Sequence, residues 1–574
     1  MSFYKYFRTR ARSRELHNYT NIRDKIASDD FVFENDRQKI EDLPELKGNL
    51  ADYIFRVLAS RPFRLILVDY SGPRPRKVRA CTLLALCILL SKKIKQHIGE
   101  RRVGIALPAG IGSHVANIAV LLANKTPVNL NFTLGRNTIE SAIDQAGVKT
   151  VISANAIFER FPQFPWPRNV LDLSKIISGL GKFSLGRLVV EICFTPTNTL
   201  ARRYKVPTVG GDSEAVLLFS SGTTGNPKGI VLSHKNIIAN CVQIWMTGIL
   251  LKSDSILACL PNFHSYGMTL NICFCLLFGI RIATHSNPLE VKTLSSIIAK
   301  EKLTINASTP TFFKQYFGKV DPKNLSSIRA IVASAERVSI DLIDDWERSF
   351  GSEMVAGYGL TEASPVISIG FPSNGKKSME KNRNISHKKP SVGRVLPGIS
   401  VKFIGPETGK PIPLGETGIL CLKGPNVFNG YLNNDALTAE VLRDGWLATG
   451  DLARLDSDGF LYIDGRVSRF SKIGGEMVPH IGIEEAISKV LSLTCDKGPE
   501  IAVMSRIDKK KGESLVLLSK RELDMRSLRE KLLHYGLSNL WIPKEYILVD
   551  DIPILATGKL DLAACKQLVE VKLL

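Results

Sequence analysis

Phe219 to Gly229 reads FSSGTTGNPKG, a short segment that concentrates glycines, hydroxyls and one lysine. Gly222, Gly225 and Gly229 allow positive φ and let backbone N–H groups approach an anion closely. Ser220, Ser221, Thr223 and Thr224 add hydroxyl donors, and Lys228 adds charge. This chemistry suits a polyphosphate. A Walker A loop ends in Gly-Lys-Ser/Thr and opens a helix. Here Lys228 stands between Pro227 and Gly229 and leads into Ile230, Val231 and Leu232, a strand-like run. A solvated Ser/Gly linker is the alternative, but a linker has no reason to end in Pro-Lys-Gly between two apolar runs.

Further motifs follow in order: LSHKN from Leu232, PNFHSYG from Pro261, GYGLTE from Gly357, TGD from Thr449, DGR from Asp464, and Gly558-Lys559 near the C-terminus. Together they resemble the adenylate-forming enzymes, the AMP-binding group that includes acyl-CoA synthetases, luciferases and peptide-synthetase adenylation domains. The resemblance implies an α/β fold with a large N-terminal portion of stacked sheets and helices and a small, mobile α/β C-terminal domain. The hinge is expected just after DGR, giving 1–467 as the AMP-binding domain and 468–574 as the small domain that carries Lys559.

By the same resemblance, ATP and Mg²⁺ are the expected cofactors. Ser220, Ser221, Gly222, Thr223, Thr224, Gly225 and Lys228 would hold phosphates, and Tyr358 would stack on adenine. Asp451 can accept from both ribose hydroxyls, and Arg466 can pair with ribose or phosphate. Glu362 offers the hard oxygen that Mg²⁺ prefers, with Thr361 bonding a phosphate oxygen. Lys559 is the expected adenylation residue, since an ammonium between attacking carboxylate and α-phosphate stabilises shared charge. His264 is expected at the wall between acyl carboxylate and thiol entrance. Gly267, without a side chain, would leave an acyl tunnel open, and Met268 would line it.

Acceptor choice rests on finer resemblance. FSKIGGEMVPHIGIEEAI, from Phe470 to Ile487, looks like the acyl-acyl-carrier-protein synthetases, and so do PVNLNFT from Pro127 and ASAERV from Ala333. His480 stands where CoA ligases commonly have Pro, Gly482 where they have Glu, and Ser468 occupies the usual hinge position of Asp or Lys. The implied reaction joins a fatty acid to the phosphopantetheine thiol of holo acyl carrier protein, with CoA the alternative acceptor and a catalytically silent acyl-adenylate binder a further one. Gly474 and Gly475 would let the pantetheine arm pass.

The elements that must position these residues show βαβ punctuation: VGIALPAG, HVANIAVLLAN, PVNLNFT and VKTVISA alternate strand and helix patterns from Val103 onward. The chain has 574 residues, 44% of them hydrophobic, which supports more than one domain. Its longest apolar runs, CTLLALCILL from Cys81 and ICFCLLFGI from Ile272, are too short to span a bilayer and suit buried helices. Ten scattered cysteines without a CxxC pair indicate neither zinc nor a disulfide framework, and suggest a reducing, cytoplasmic setting. The formal net charge of +21 should attract acidic partners, yet no nucleic-acid-binding motif is visible. At the N-terminus, MSFYKYFRTRARSR pairs aromatic with basic residues and fits either peripheral contact with an anionic membrane or a basic tail. A second basic stretch, Lys376, Lys377, Lys381, Arg383, Lys388 and Lys389, reads as a solvated loop or a docking surface.

Overall fold

The computed structural model describes residues 31–34, 37–220, 227–372, 388–473, 476–493, 499–508, 512–554 and 560–571. Four sheets organise them, and the expected α/β architecture is present. The βαβ pattern builds a six-stranded sheet in the order Asn169–Asp172, Thr150–Ser153, Arg102–Ile105, Thr126–Asn129, Glu214–Ser220, Lys228–Ser233. All its pairings are parallel except the last, a hairpin that registers Ser220 opposite Lys228. A nine-stranded sheet carries Met354–Gly359 parallel to Ala330–Ala333 and antiparallel to Val366–Ile369.

Helices fill the space around these sheets. CTLLALCILL falls in the Ala80–His97 helix, which packs with Ile111–Leu122 in the largest apolar core. A second core surrounds Trp346 and Phe313, both with no exposed surface. The apolar segment after PNFHSYG is buried as expected, but Gly267–Phe274 coils as a π-helix before one α turn, Cys275–Phe278. π-Helical stretches are rare and occur mostly at functional sites.

A third, seven-stranded sheet pairs Trp446–Leu455 antiparallel with Leu461–Arg466, placing Asp451 directly across from Arg466. The last sheet is built from Phe470–Ile473, Glu476–Pro479, Ile501–Asp508, Gly512–Ser519 and Glu545–Leu548. Its side chains alternate strictly. Val503, Leu515 and Leu517 enter one apolar core, and Ala502, Val516 and Leu518 enter another, so both faces are covered. Among the described residues no helix is long and apolar enough to cross a membrane, and the described cysteines are free thiols.

Candidate active site

The glycine-rich loop hangs from the carboxyl end of Glu214–Ser220, whose neighbour Thr126–Asn129 runs parallel to it. In open α/β sheets that edge is where ligands bind. Ser220 and Lys228 form the neck of the loop. Beside that neck, Gln145 donates to the Pro227 carbonyl at 3.1 Å. Ser221, Gly222, Thr223, Thr224 and Gly225 lie outside the described residues. The LSHKN residues that follow have architectural work. Ser233 and Asn236 form a capping box at the start of His234–Met246. The His234 ring accepts from the Leu50 amide at 3.1 Å; burial pushes its pKa down to about 4.

GYGLTE forms the turn between Met354–Gly359 and Val366–Ile369. Gly359 is required there, because a Cβ would stand 2.1 Å from the Pro365 carbonyl oxygen. The Tyr358 hydroxyl donates to Asp451 Oδ2 at 2.5 Å. Arg466 Nε meets Asp451 Oδ1 at 2.9 Å, as their cross-strand register requires. Burial and the Asp451 carboxylate push the Tyr358 phenol well above its ordinary pKa. The same carboxylate raises the Arg466 guanidinium against its partial burial.

Glu362 stands beside this group. The Tyr431 hydroxyl donates to its Oε1 at 2.9 Å, and the Phe428 amide donates to its main-chain oxygen at 2.8 Å. Tyr431 also lies beneath Lys228, whose Nζ is 5.6 Å from the ring centroid. Gly229 makes this approach possible: its carbonyl accepts from the Leu432 amide at 2.8 Å, and a Cβ would meet Leu432 Cβ at 2.8 Å. Thr361 Oγ1 and Ser265 Oγ are 3.1 Å apart, which joins GYGLTE to PNFHSYG. His264 precedes Ser265 half-buried, its ring edge-on to Phe263 at 4.9 Å.

Lys228, Tyr358, Thr361, Glu362, Asp451, Arg466 and His264 thus gather in one region. Tyr431 and Ser265 belong with them and were not expected as site residues. Among the described residues no three metal-ligating side chains cluster. Mg²⁺ commonly takes one or two carboxylates together with substrate phosphates. Glu362 fits: Oε1 carries the Tyr431 hydroxyl, and Oε2 accepts no hydrogen bond among the described residues.

Three expectations need correction. Gly267 does not open a tunnel, because a Cβ there would lie 2.2 Å from the Pro261 carbonyl oxygen. Its missing side chain is taken up by close backbone packing. Met268 is 1% exposed within the main core, its Sδ accepting from Asn129 at 3.8 Å. Lys388 and Lys389 are not available cations. Lys388 pairs with Asp456 at 2.8 Å and with Asp458, and Lys389 pairs with Asp344 at 2.7 Å and Glu347 at 2.8 Å. Lys376, Lys377, Lys381 and Arg383, the N-terminal basic-aromatic segment, Gly474, Gly475 and Lys559 lie outside the described residues.

The departures at 480 and 482 acquire physical content. His480 is buried with Nε2 2.6 Å from Ser471 Oγ, and burial and the Arg469 charge depress its pKa to about 3. Arg469, directly after the expected hinge, forks onto both oxygens of Glu484 at 2.5 Å, and Glu484 also accepts from the Val503 amide. At Gly482 a Cβ would make only ordinary contact with Pro479, so the glycine is not sterically required.

The profile of the AMP-binding enzyme family matches residues 88–432. A long-chain-fatty-acid–CoA ligase of Bacillus subtilis is 28% identical over 491 residues, which cover 80% of this chain and 84% of that protein. An indoleacetate–CoA ligase of Aromatoleum aromaticum is 30% identical over 372 residues, 64% of this chain and 69% of the relative. Among solved structures, an anthranilate CoA ligase in complex with anthranoyl-AMP superposes with a TM-score of 0.73 at 21% identity, covering 93% of this chain and 99% of that one. The O-succinylbenzoate CoA synthetase of Bacillus subtilis, in complex with ATP and magnesium ion, gives 0.72 at 22% identity, with 90% and 99% covered. At these identities the superpositions speak to fold.

Proposed function

The chain belongs to the AMP-binding enzyme family, and from that premise we propose that it activates a fatty acid with ATP and passes the acyl group to a phosphopantetheine thiol. In the first step a carboxylate oxygen attacks the α-phosphorus, forming the acyl–phosphate anhydride while the bond to pyrophosphate breaks. In the second, the thiol sulfur attacks the acyl carbon and AMP leaves.

The observation that carries this reading is the bond between Tyr358 and Asp451. It joins two motifs 93 residues apart, with Arg466 on the other carboxylate oxygen. Adenine lies against the Tyr358 ring and Asp451 accepts from the ribose, so the carboxylate exchanges protein partners for ribose hydroxyls when nucleotide binds. Lys228 and the Ser220–Gly225 loop bind the outer phosphates, and Thr361 bonds a phosphate oxygen. Glu362 would hold Mg²⁺, which when bound neutralises phosphate charge. Lys559 enters from the C-terminal portion to stabilise charge shared between carboxylate and α-phosphate. His264 orients the acyl carboxylate.

The second step calls for rotation of the residues after Arg466, bringing Gly474 and Gly475 to the thiol path. Among the described residues, the ion pairs that cross to this portion are exposed and weak, which supports such freedom. Arg337–Glu485 at 3.4 Å and Asp341–Lys489 at 3.8 Å have exposed partners and are each worth about 0–1 kcal/mol.

Acyl carrier protein is the proposed acceptor, supported by the wording of 470–487 and by a net charge of +21 suited to an acidic partner. CoA is the second reading, favoured by relatives that are named as CoA ligases. Labelled fatty acid, ATP and Mg²⁺ are supplied with holo carrier protein or with CoA. Label on the carrier alone supports the first reading, label on CoA alone replaces it with the second, and label on neither removes thiol transfer.

A further inference from the structure

A cleft of about 420 Å³ opens far from the site just described. Its walls come from the ends of Ala80–His97 and Ile111–Leu122 and from Tyr204–Val206. Those segments lead into the amino ends of Arg102–Ile105, Thr126–Asn129 and Glu214–Ser220. The phosphate loop leaves the carboxyl end of the last of these strands, so the cleft occupies the opposite edge of the six-stranded sheet.

Among the described residues five cationic side chains line it, Lys92, Lys95, Arg187, Arg203 and Lys205, with Glu191 the single carboxylate. Glu191 is committed to Arg203 at 2.5 Å and to the Tyr204 hydroxyl at 2.8 Å. Lys95 and Lys205 have no ion pair among the described residues. Burial and the Lys205 charge lower the Lys95 pKa. Both ammonium groups are exposed at the mouth of the cleft, and with Glu191 committed elsewhere an anion there would meet uncompensated positive charge. Phe55 and Leu122 give the cleft an apolar floor.

The Lys182–Phe194 helix forms the rim. Leu188 and Ile192 point inward at 5% and 1% exposure, while Phe183, Val190 and Phe194 stand out at 85%, 57% and 79%. Those three recur at i, i+7 and i+11, one stripe of a helix, and Arg187 at i+4 lies on its flank toward the cleft. An exposed aromatic stripe beside a cationic groove is the pattern of a helix that rests in a membrane interface.

We propose that this helix and cleft form a peripheral docking surface for a bilayer carrying anionic phospholipid, with a headgroup phosphate between Lys95, Lys205 and Arg187 and with Phe183 and Phe194 at the boundary between headgroups and acyl chains. The surface is separate from catalysis and brings the enzyme to where long-chain acids partition.

The test is co-sedimentation of the full chain with phosphatidylcholine vesicles, with and without phosphatidylglycerol. The wild-type protein is expected to bind only the anionic vesicles. The pair Lys95→Gln/Lys205→Gln lowers partition about thirtyfold, and Phe183→Ser/Phe194→Ser lowers it by more than about tenfold, since even partial burial of two rings exceeds about 1.4 kcal/mol. Lys314→Gln/Lys323→Gln makes the same change in net charge on another exposed face and leaves binding nearly intact. Each variant is checked for unchanged circular dichroism and unchanged vesicle-free adenylation. Equal loss from both lysine pairs would reduce the effect to net charge and overturn the proposal. So would equal binding to neutral vesicles, or thermal stabilisation by glycerol 3-phosphate through Lys95 and Lys205 with no vesicle binding, which would make the cleft a site for soluble phosphate.

Discussion

Replacing Asp451 with Asn keeps the volume and one acceptor oxygen but removes the charge that Arg466 and the Tyr358 hydroxyl address. If this carboxylate receives the ribose hydroxyls, the substitution downgrades a charge-assisted hydrogen bond worth about 1.5–3 kcal/mol. The KM for ATP should then rise about tenfold to a hundredfold. The ion pair's own share of stability is small. The Arg466 side chain is 55% exposed, so solvent screening leaves the ion pair about 1 kcal/mol at most. The assay is fatty-acid-dependent exchange of labelled pyrophosphate into ATP, run in parallel with 2′-deoxy-ATP. The wild-type enzyme should discriminate against the deoxynucleotide, and Asp451→Asn should lose much of that preference because the contact is already weakened. A folded variant with wild-type KM and undiminished preference would remove Asp451 from the ribose site.

Gly267→Ala should destabilise the fold by about 1–3 kcal/mol, seen as a lower melting temperature, because its Cβ meets the Pro261 carbonyl; a stable variant with a shifted chain-length preference would restore the tunnel. His480 has a folded pKa of about 3 against 6.5 when unfolded, so its contribution is whole above pH 6.5 and is lost as pH falls toward 3. Urea unfolding at pH 7 and 5 should differ by about 2 kcal/mol from this group, and His480→Gln should remove that share while the similar contribution of His234 remains; an unaltered pH slope would show that His480 titrates normally. Lys559→Ala should abolish acyl-AMP formation and spare transfer from pre-formed acyl-AMP, measured as separate half-reactions; equal failure of both in a folded variant would contradict a lysine that serves only the first step.

Much of the site was legible because its residues sit in ordered motifs, and Asp451 and Arg466 needed only two adjacent strands in register to meet. The strands and helices around the glycine-rich loop were legible from their periodicity. Tyr431 was not, since its partner Glu362 is 69 residues away and a tyrosine in a polar turn gives no local sign of what its hydroxyl will reach. Gly267 was misread for a related reason: a sequence shows that a side chain is missing but not what fills the space. Lys388 and Lys389 looked like free charge because their acidic partners lie 42 to 70 residues distant. The π-helix from Gly267 to Phe274 was not legible either, because its two polar residues, Thr269 and Asn271, are both buried among apolar neighbours and mark no solvent-facing stripe of one helical period over another.

The central claim is that this chain makes an acyl-adenylate, and the exchange reaction tests it without reference to the acceptor. Purified protein is incubated with ATP, Mg²⁺, labelled pyrophosphate and fatty acids of graded length, with no thiol present. Label should enter ATP only when a fatty acid is supplied, and quenched mixtures should contain acyl-AMP. Absence of exchange with every acid, or ATP cleavage that yields ADP and phosphate in place of AMP and pyrophosphate, would contradict it.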